Sequence, residues 1–165
     1  MPNMLDFSGF ETTLVERGLQ GLTVAEQVDA FCRDITLAGF PARRFNMSIG
    51  TLHPRHGAHS YVWRRDEGLA TELHPRRRSG EETDGYLRSP IYRLRSTDEV
   101  TLRRRLDGGG PLEFPILAEL SSAGMTDYAA RLVSFGDVQR GNPTKLFDPK
   151  RNRPDPMQGI FFSCA

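Results

Sequence analysis

Residues 42–65 read Ala-Arg-Arg-Phe-Asn-Met-Ser-Ile-Gly-Thr-Leu-His-Pro-Arg-His-Gly-Ala-His-Ser-Tyr-Val-Trp-Arg-Arg, and within them the hydrophobic period of the chain changes to two. Phe45, Met47 and Ile49 alternate with Arg44, Asn46 and Ser48, as a strand with one buried face requires. Pro54 and Gly57 interrupt the pattern, and Tyr61-Val-Trp63 resumes it in a second strand from about His59 to Arg65. The stretch therefore predicts a β-hairpin whose connection, Thr51 onward, carries the polar groups. It also holds the single tryptophan and three of the chain's four histidines.

Upstream the spacing is helical. Ser8-Gly-Phe-Glu11 has the form of a capping box, followed by a short helix to about Arg17 and a stop at Gly18. Thr23-Val-Ala-Glu26 repeats the device, and Val24, Val28, Phe31, Cys32 and Ile35 then fall on one helical face until Gly39 and Pro41. Downstream, Asp66-Glu-Gly68 turns the chain into a third strand, Leu69 to His74. Pro75 to Gly85 reads as a solvated loop, and Ser89-Pro90 starts a short helix. Glu99 to Leu106 reads as a strand, about Phe114 to Ala123 as a helix, and Asp127 to Phe135 and Met157 to Ala165 as strands, the last two separated by a proline-rich loop.

Helices first, then a meander, with later helices interrupting later strands, predicts an α+β fold: a single antiparallel sheet of five or six strands with helices packed on one face. Its other face, or the space beneath the loops, is then the expected pocket. The 165 residues fit one domain large enough to bury a core without a staple. Hydrophobic content of 38% and charged content of 26% are those of a soluble protein, with no run long enough to span a membrane and no leader pattern at Met1. A cytoplasmic location is the expectation. Cys32 and Cys164 sit in apolar surroundings and read as two buried thiols.

The net charge is +1, with lysine only at Lys145 and Lys150, so the basic residues are almost all arginine. The clusters Arg43-Arg44, Arg76-Arg-Arg78 and Arg103 to Arg105 alternate with acids and lack interleaved aromatics, which favours a salt-bridged surface over a nucleic-acid site.

His53, His56 and His59 have a spacing that suggests zinc or haem, but Pro54 and Gly57 forbid a helix there and no cysteine or carboxylate is adjacent in sequence. Turn histidines bonded to backbone are the expectation, with no metal. Tyr61 and Trp63 share a strand face, where they either stack on a planar ligand or fill the core. Arg104, between Leu102 and Leu106, must snorkel, pair with Asp127 or Glu119, or face a pocket where its fork takes an anion; a strand edge or bulge would remove the anomaly. No nucleophile elbow, phosphate loop or zinc-protease helix is present, so the reading is not that of an enzyme.

An ordered set of segments then carries a resemblance: Arg17-Gly-Leu-Gln-Gly-Leu22, Phe31-Cys32, Ala38-Gly-Phe-Pro41, Thr51-Leu-His-Pro54, Val62-Trp-Arg64, Ser89-Pro90, Arg103 to Leu106, Phe114-Pro-Ile-Leu-Ala-Glu-Leu120 and Gly124-Met-Thr-Asp-Tyr128. Together they resemble the N-terminal GAF/PAS-like regulatory region of bacterial class III adenylate/guanylate cyclases. The resemblance implies a single sensory domain over 1–165 that lacks its C-terminal helix and output domain. The cyclase aspartates belong to that other domain, so no cyclase activity is expected from this chain. Of the histidines the resemblance picks out His53, and with the residues singled out by pattern the expected ligand site is drawn from His53, Tyr61, Trp63, Arg104, Asp127 and Tyr128, with the cofactor unspecified. The expected partners are a small molecule, a second copy of the chain, and a cyclase domain in cis or trans. Its final strand and N-terminal helices are the expected dimer surfaces. The alternative is a module of the same fold that only dimerises or docks.

Overall fold

A computed structural model of the chain describes residues 9–51, 53–78, 81–134 and 157–164. The elements are α1 (Phe10–Leu19), α2 (Val24–Leu37), β1 (Ala42–Gly50), β2 (His56–Arg64), β3 (Gly68–Pro75), α3 (Asp84–Leu87), α4 (Pro90–Ser96), β4 (Thr101–Arg105), α5 (Pro115–Ser122), β5 (Asp127–Ser134) and β6 (Met157–Cys164). The class is α+β and every described strand pairing is antiparallel.

Local chemistry explains most boundaries. At the start of α2 the Thr23 hydroxyl accepts from the Glu26 N–H at 3.3 Å, while the Glu26 carboxylate accepts from the Thr23 N–H at 2.8 Å, the reciprocal box read from the sequence. Ser89 caps α4, with Pro90 in its first turn. Ser8 lies outside the described residues, and the N-cap of α1 is Gly9, which makes no side-chain cap. The stretch 81–85 is not all loop: the Thr83 hydroxyl accepts from the Tyr86 N–H and nucleates the single turn of α3. The loop read over 136–156 lies outside the described residues, as does the side chain of Cys164.

The strands fall into two blocks. β1, β2 and β3 form a meander, β4 and β5 form a separate pair, and β6 lies between β1 and β5, giving the order β3-β2-β1-β6-β5-β4. The final strand is thus enclosed by pairing on both sides, not exposed as a dimer edge. Chain order could not show this, because the link between the blocks is made last in sequence.

Register also overturns the expectation of helices on one face. Phe45 and Ala129 both pair with Phe162, whereas Asn46 and Ala130 both pair with Phe161. Phe45 and Ala129 therefore share one face, and Asn46 and Ala130 the other. Phe45 packs under α2 in a cluster with Val28, Cys32, Tyr61 and Trp63. Ala130 packs with Leu94 of α4 and Leu117 and Leu120 of α5, together with Leu102, Leu106, Phe114, Tyr128 and Leu132. The meander buries one face and the β4–β5 pair buries the opposite one. An ion pair at 3.8 Å between Arg44, on the Asn46 face, and Glu119 of α5 agrees with this. The helix α1 leans on α2 through Arg17 and Asp34 at 2.7 Å and through an edge-to-face contact of Phe10 with Phe31.

Candidate functional site

β2 runs from His56, three residues earlier than the start near His59 read from the sequence, so His56 joins His59 in the strand and leaves the connection. Only His53 remains in the turn. It is exposed, its Nδ1 accepts from the Arg55 N–H at 3.2 Å, and its ring stacks on His56 with centroids 4.7 Å apart. The turn is held from outside by Arg76, whose guanidinium donates to the carbonyls of Thr51 and His53. Nothing in sequence spacing separates this arginine from Arg77 and Arg78, so its role as a clamp was not legible. His59 continues along the α2 face of β2, where its Nδ1 shares a hydrogen bond of 3.2 Å with the Tyr61 hydroxyl. Among the described residues no group of three or more His, Cys, Asp or Glu is placed to hold a metal ion.

Tyr61 and Trp63 are buried against α2. Their rings fill the first cluster and present no open face there. Beside them Cys32 is fully buried, and burial, with the Asp29 carboxylate adding to it, pushes its thiol up to about 12. A thiol so placed is a small hydrophobe and not a nucleophile.

Arg104 is paired, but with neither carboxylate anticipated. Its Nε donates to Glu113 at 2.7 Å, and a second nitrogen donates to the Arg103 carbonyl. Hydrogen bonding to Arg104 holds the Glu113 carboxyl below its ordinary value. Glu113 was missed because it lies in the irregular segment before α5, whose path sequence pattern does not give. Asp127 instead accepts from Arg103 Nε at 3.0 Å, and Glu119 belongs to Arg44. Tyr128 faces Arg104 across the ladder, and burial raises its phenol above the ordinary range.

The six candidates therefore do not converge. Tyr61 and Trp63 point toward α2, Arg104 and Tyr128 point to the opposite face beneath α4 and α5, Asp127 is turned away from those two, and His53 sits at the hairpin tip. An open depression of about 260 Å³ lies elsewhere, along the α1–α2 seam, lined by Gly9, Phe10, Thr13 and Asp34.

The face of the meander away from α2 carries a polar row that sequence reading passed over. Ser60, buried, donates to the Ser48 hydroxyl at 3.1 Å and shares a 2.8 Å hydrogen bond with His74 Nε2. Asn46 Oδ1, one register step along β1, is buried without a hydrogen-bond partner among the described residues. The row ties three adjacent strands together, and the burial of Ser60 makes it a structural link. Period-2 alternation put these residues on one face, but only the pairing register brings Ser48, Ser60 and His74 within bonding distance.

No family model matches the chain, and no curated protein matches it.

Proposed function

We propose that this chain is a non-catalytic regulatory domain of the GAF/PAS type, associated with cyclic nucleotide signalling, that works by docking and self-association and not by enclosing a small ligand. One observation carries the choice between the two readings: the side chains best suited to hold a ligand are already engaged with the protein. Tyr61 and Trp63 fill the cluster under α2, Tyr128 fills the cluster under α5, Arg104 is committed to Glu113, and Asp127 to Arg103. In such a domain the signal passes as a shift between packings of the helices against an output domain. The link to cyclases rests on the ordered segments quoted above.

The test is a thermal-shift survey with cyclic nucleotides, ATP, GTP, haem and small organic acids, paired with a cyclase assay using a divalent metal. A specific ligand at a hundred times its Kd would add about 2.7 kcal/mol, which moves the transition of a chain this size by roughly 5 to 10 °C. No such shift and no cyclic nucleotide are expected. A saturable shift that the Arg104→Leu variant abolishes would restore the ligand reading, and product formation would make the chain an enzyme.

A further inference from the structure

The strand β3 is one edge of the sheet, and its open side has a defined chemistry. The Arg65 N–H donates to the Arg43 carbonyl, so the odd residues of β2 aim their backbone at β1 and the even ones aim at β3. Arg64, Val62, Ser60 and Ala58 pair with Gly68, Ala70, Glu72 and His74, whose backbone groups are therefore turned inward. The Arg76 N–H, which donates to the Arg55 carbonyl, continues the same parity. That leaves the N–H and C=O groups of Leu69, Thr71 and Leu73 on the outer edge, where no described strand pairs with them. Pro75, with no N–H to offer, falls at the next outward position and ends the row.

We propose that two copies of this chain associate by antiparallel pairing of β3 with β3 about a two-fold axis at Thr71. The outward positions read Leu-Thr-Leu, a palindrome: Leu69 meets the other copy's Leu73, and Thr71 meets its own equivalent. Leu73 is 58% exposed, while Leu69 already packs against the cluster under α2, so the pairing extends that apolar layer across the seam.

The two registers shifted toward the end of β3 are worse. Centring on Glu72 sets two carboxylates face to face, and centring on Leu73 puts Pro75 opposite a backbone carbonyl that needs a donor. In the Thr71 register Glu72 faces Ala70. The exposed Asp66-Glu67 turn of one copy then runs beside Arg76 to Arg78 of the other, so the charges complement at both ends. The occupant is thus a second copy of this chain and not an unrelated strand. The proposal rests on the interaction reading above and gives it a surface.

The experiment is light scattering of the whole chain over a concentration series, with Leu73→Lys and Thr71→Lys as variants. A mass twice the 18.6 kDa of one chain is expected, and either lysine should raise the dimer Kd by about a hundredfold, because symmetry counts each change twice. Both positions are exposed in the single chain, so the thermal transition of the monomer should not move. Under oxidation Thr71→Cys should cross-link to itself, since paired residues at hydrogen-bonded positions lie about 5.5 Å apart at Cα, within disulfide reach. Thr101→Cys, on the opposite edge strand, should not. A chain that stays monomeric, or a dimer that both lysine variants leave intact, overturns the proposal. In the second case the interaction reading survives with a different surface, whereas a ligand-induced shift would remove that reading alone.

Discussion

Replacing Trp63 with alanine separates a core residue from a ligand platform. Trp63 is 3% exposed and packs among Val28, Cys32, Phe45 and Tyr61. Truncating a buried aromatic loses its transfer free energy and leaves a cavity that the stiff sheet beneath cannot close, at a cost of about 3 to 5 kcal/mol. A domain of this size has about 5 to 15 kcal/mol in total, so the variant should lose about a fifth of its stability or more. With a urea slope of about 2 kcal/mol/M, the midpoint should fall by roughly 2 M. Far-UV circular dichroism is the readout, because the substitution removes the only indole. In the unsubstituted chain that indole should emit in the blue and shift to red on unfolding. A midpoint that falls by less than about 0.5 M, or emission already red in the native state, would refute the placement of Trp63 in the core.

Three further outcomes follow from individual contacts. Thr23→Ala removes one half of the capping box of α2, the helix over the first cluster, and should cost about 1 kcal/mol in urea unfolding, with Thr23→Ser largely restoring it. A double-mutant cycle on Arg104→Leu and Glu113→Gln should give a coupling of about 1 kcal/mol, since the pair is half-exposed and charge-assisted; no coupling would mean that Arg104 answers to another group. The carboxyls of Glu26, Glu99 and Glu113 all lie below their ordinary value of 4.5, held there first by hydrogen bonds from Thr23, Arg93 and Arg104. A depressed folded value means stability that is present above 4.5 and lost as pH falls through the folded values, so urea midpoints should be level near neutrality and decline below 4.5; a midpoint that rises on acidification would contradict these contacts.

The antiparallel meander, the capping box of α2, the Ser89 cap of α4 and the α+β class were legible in sequence because each rests on local periodicity or on a cap that spans three residues. Burial of Tyr61 and Trp63 was legible as one of two outcomes, since alternation assigns a face without saying what covers it, whereas Tyr128 was read only as a ligand-site residue and its burial came from the structure. Pairing of Arg104 with a carboxylate was legible as one of several outcomes, but its choice of Glu113 over Asp127 and Glu119 was not. A charged side chain takes whichever partner the backbone path delivers, and the path before α5 has no period to read.

By itself the sequence determined which residues alternate, which turns close, and that Leu69, Thr71 and Leu73 read the same in both directions. Only the tertiary structure decided that β6 joins the two strand blocks from inside, that helices cover opposite faces of those blocks, and that the six candidate residues are dispersed between the faces. The physical reason is that side-chain direction in a strand follows local parity, whereas the face that parity selects depends on the register of a partner far away in the chain. The open edge of β3 belongs to both: its pattern is written in Leu69, Thr71 and Leu73, and its availability comes from the strand order that leaves it outermost.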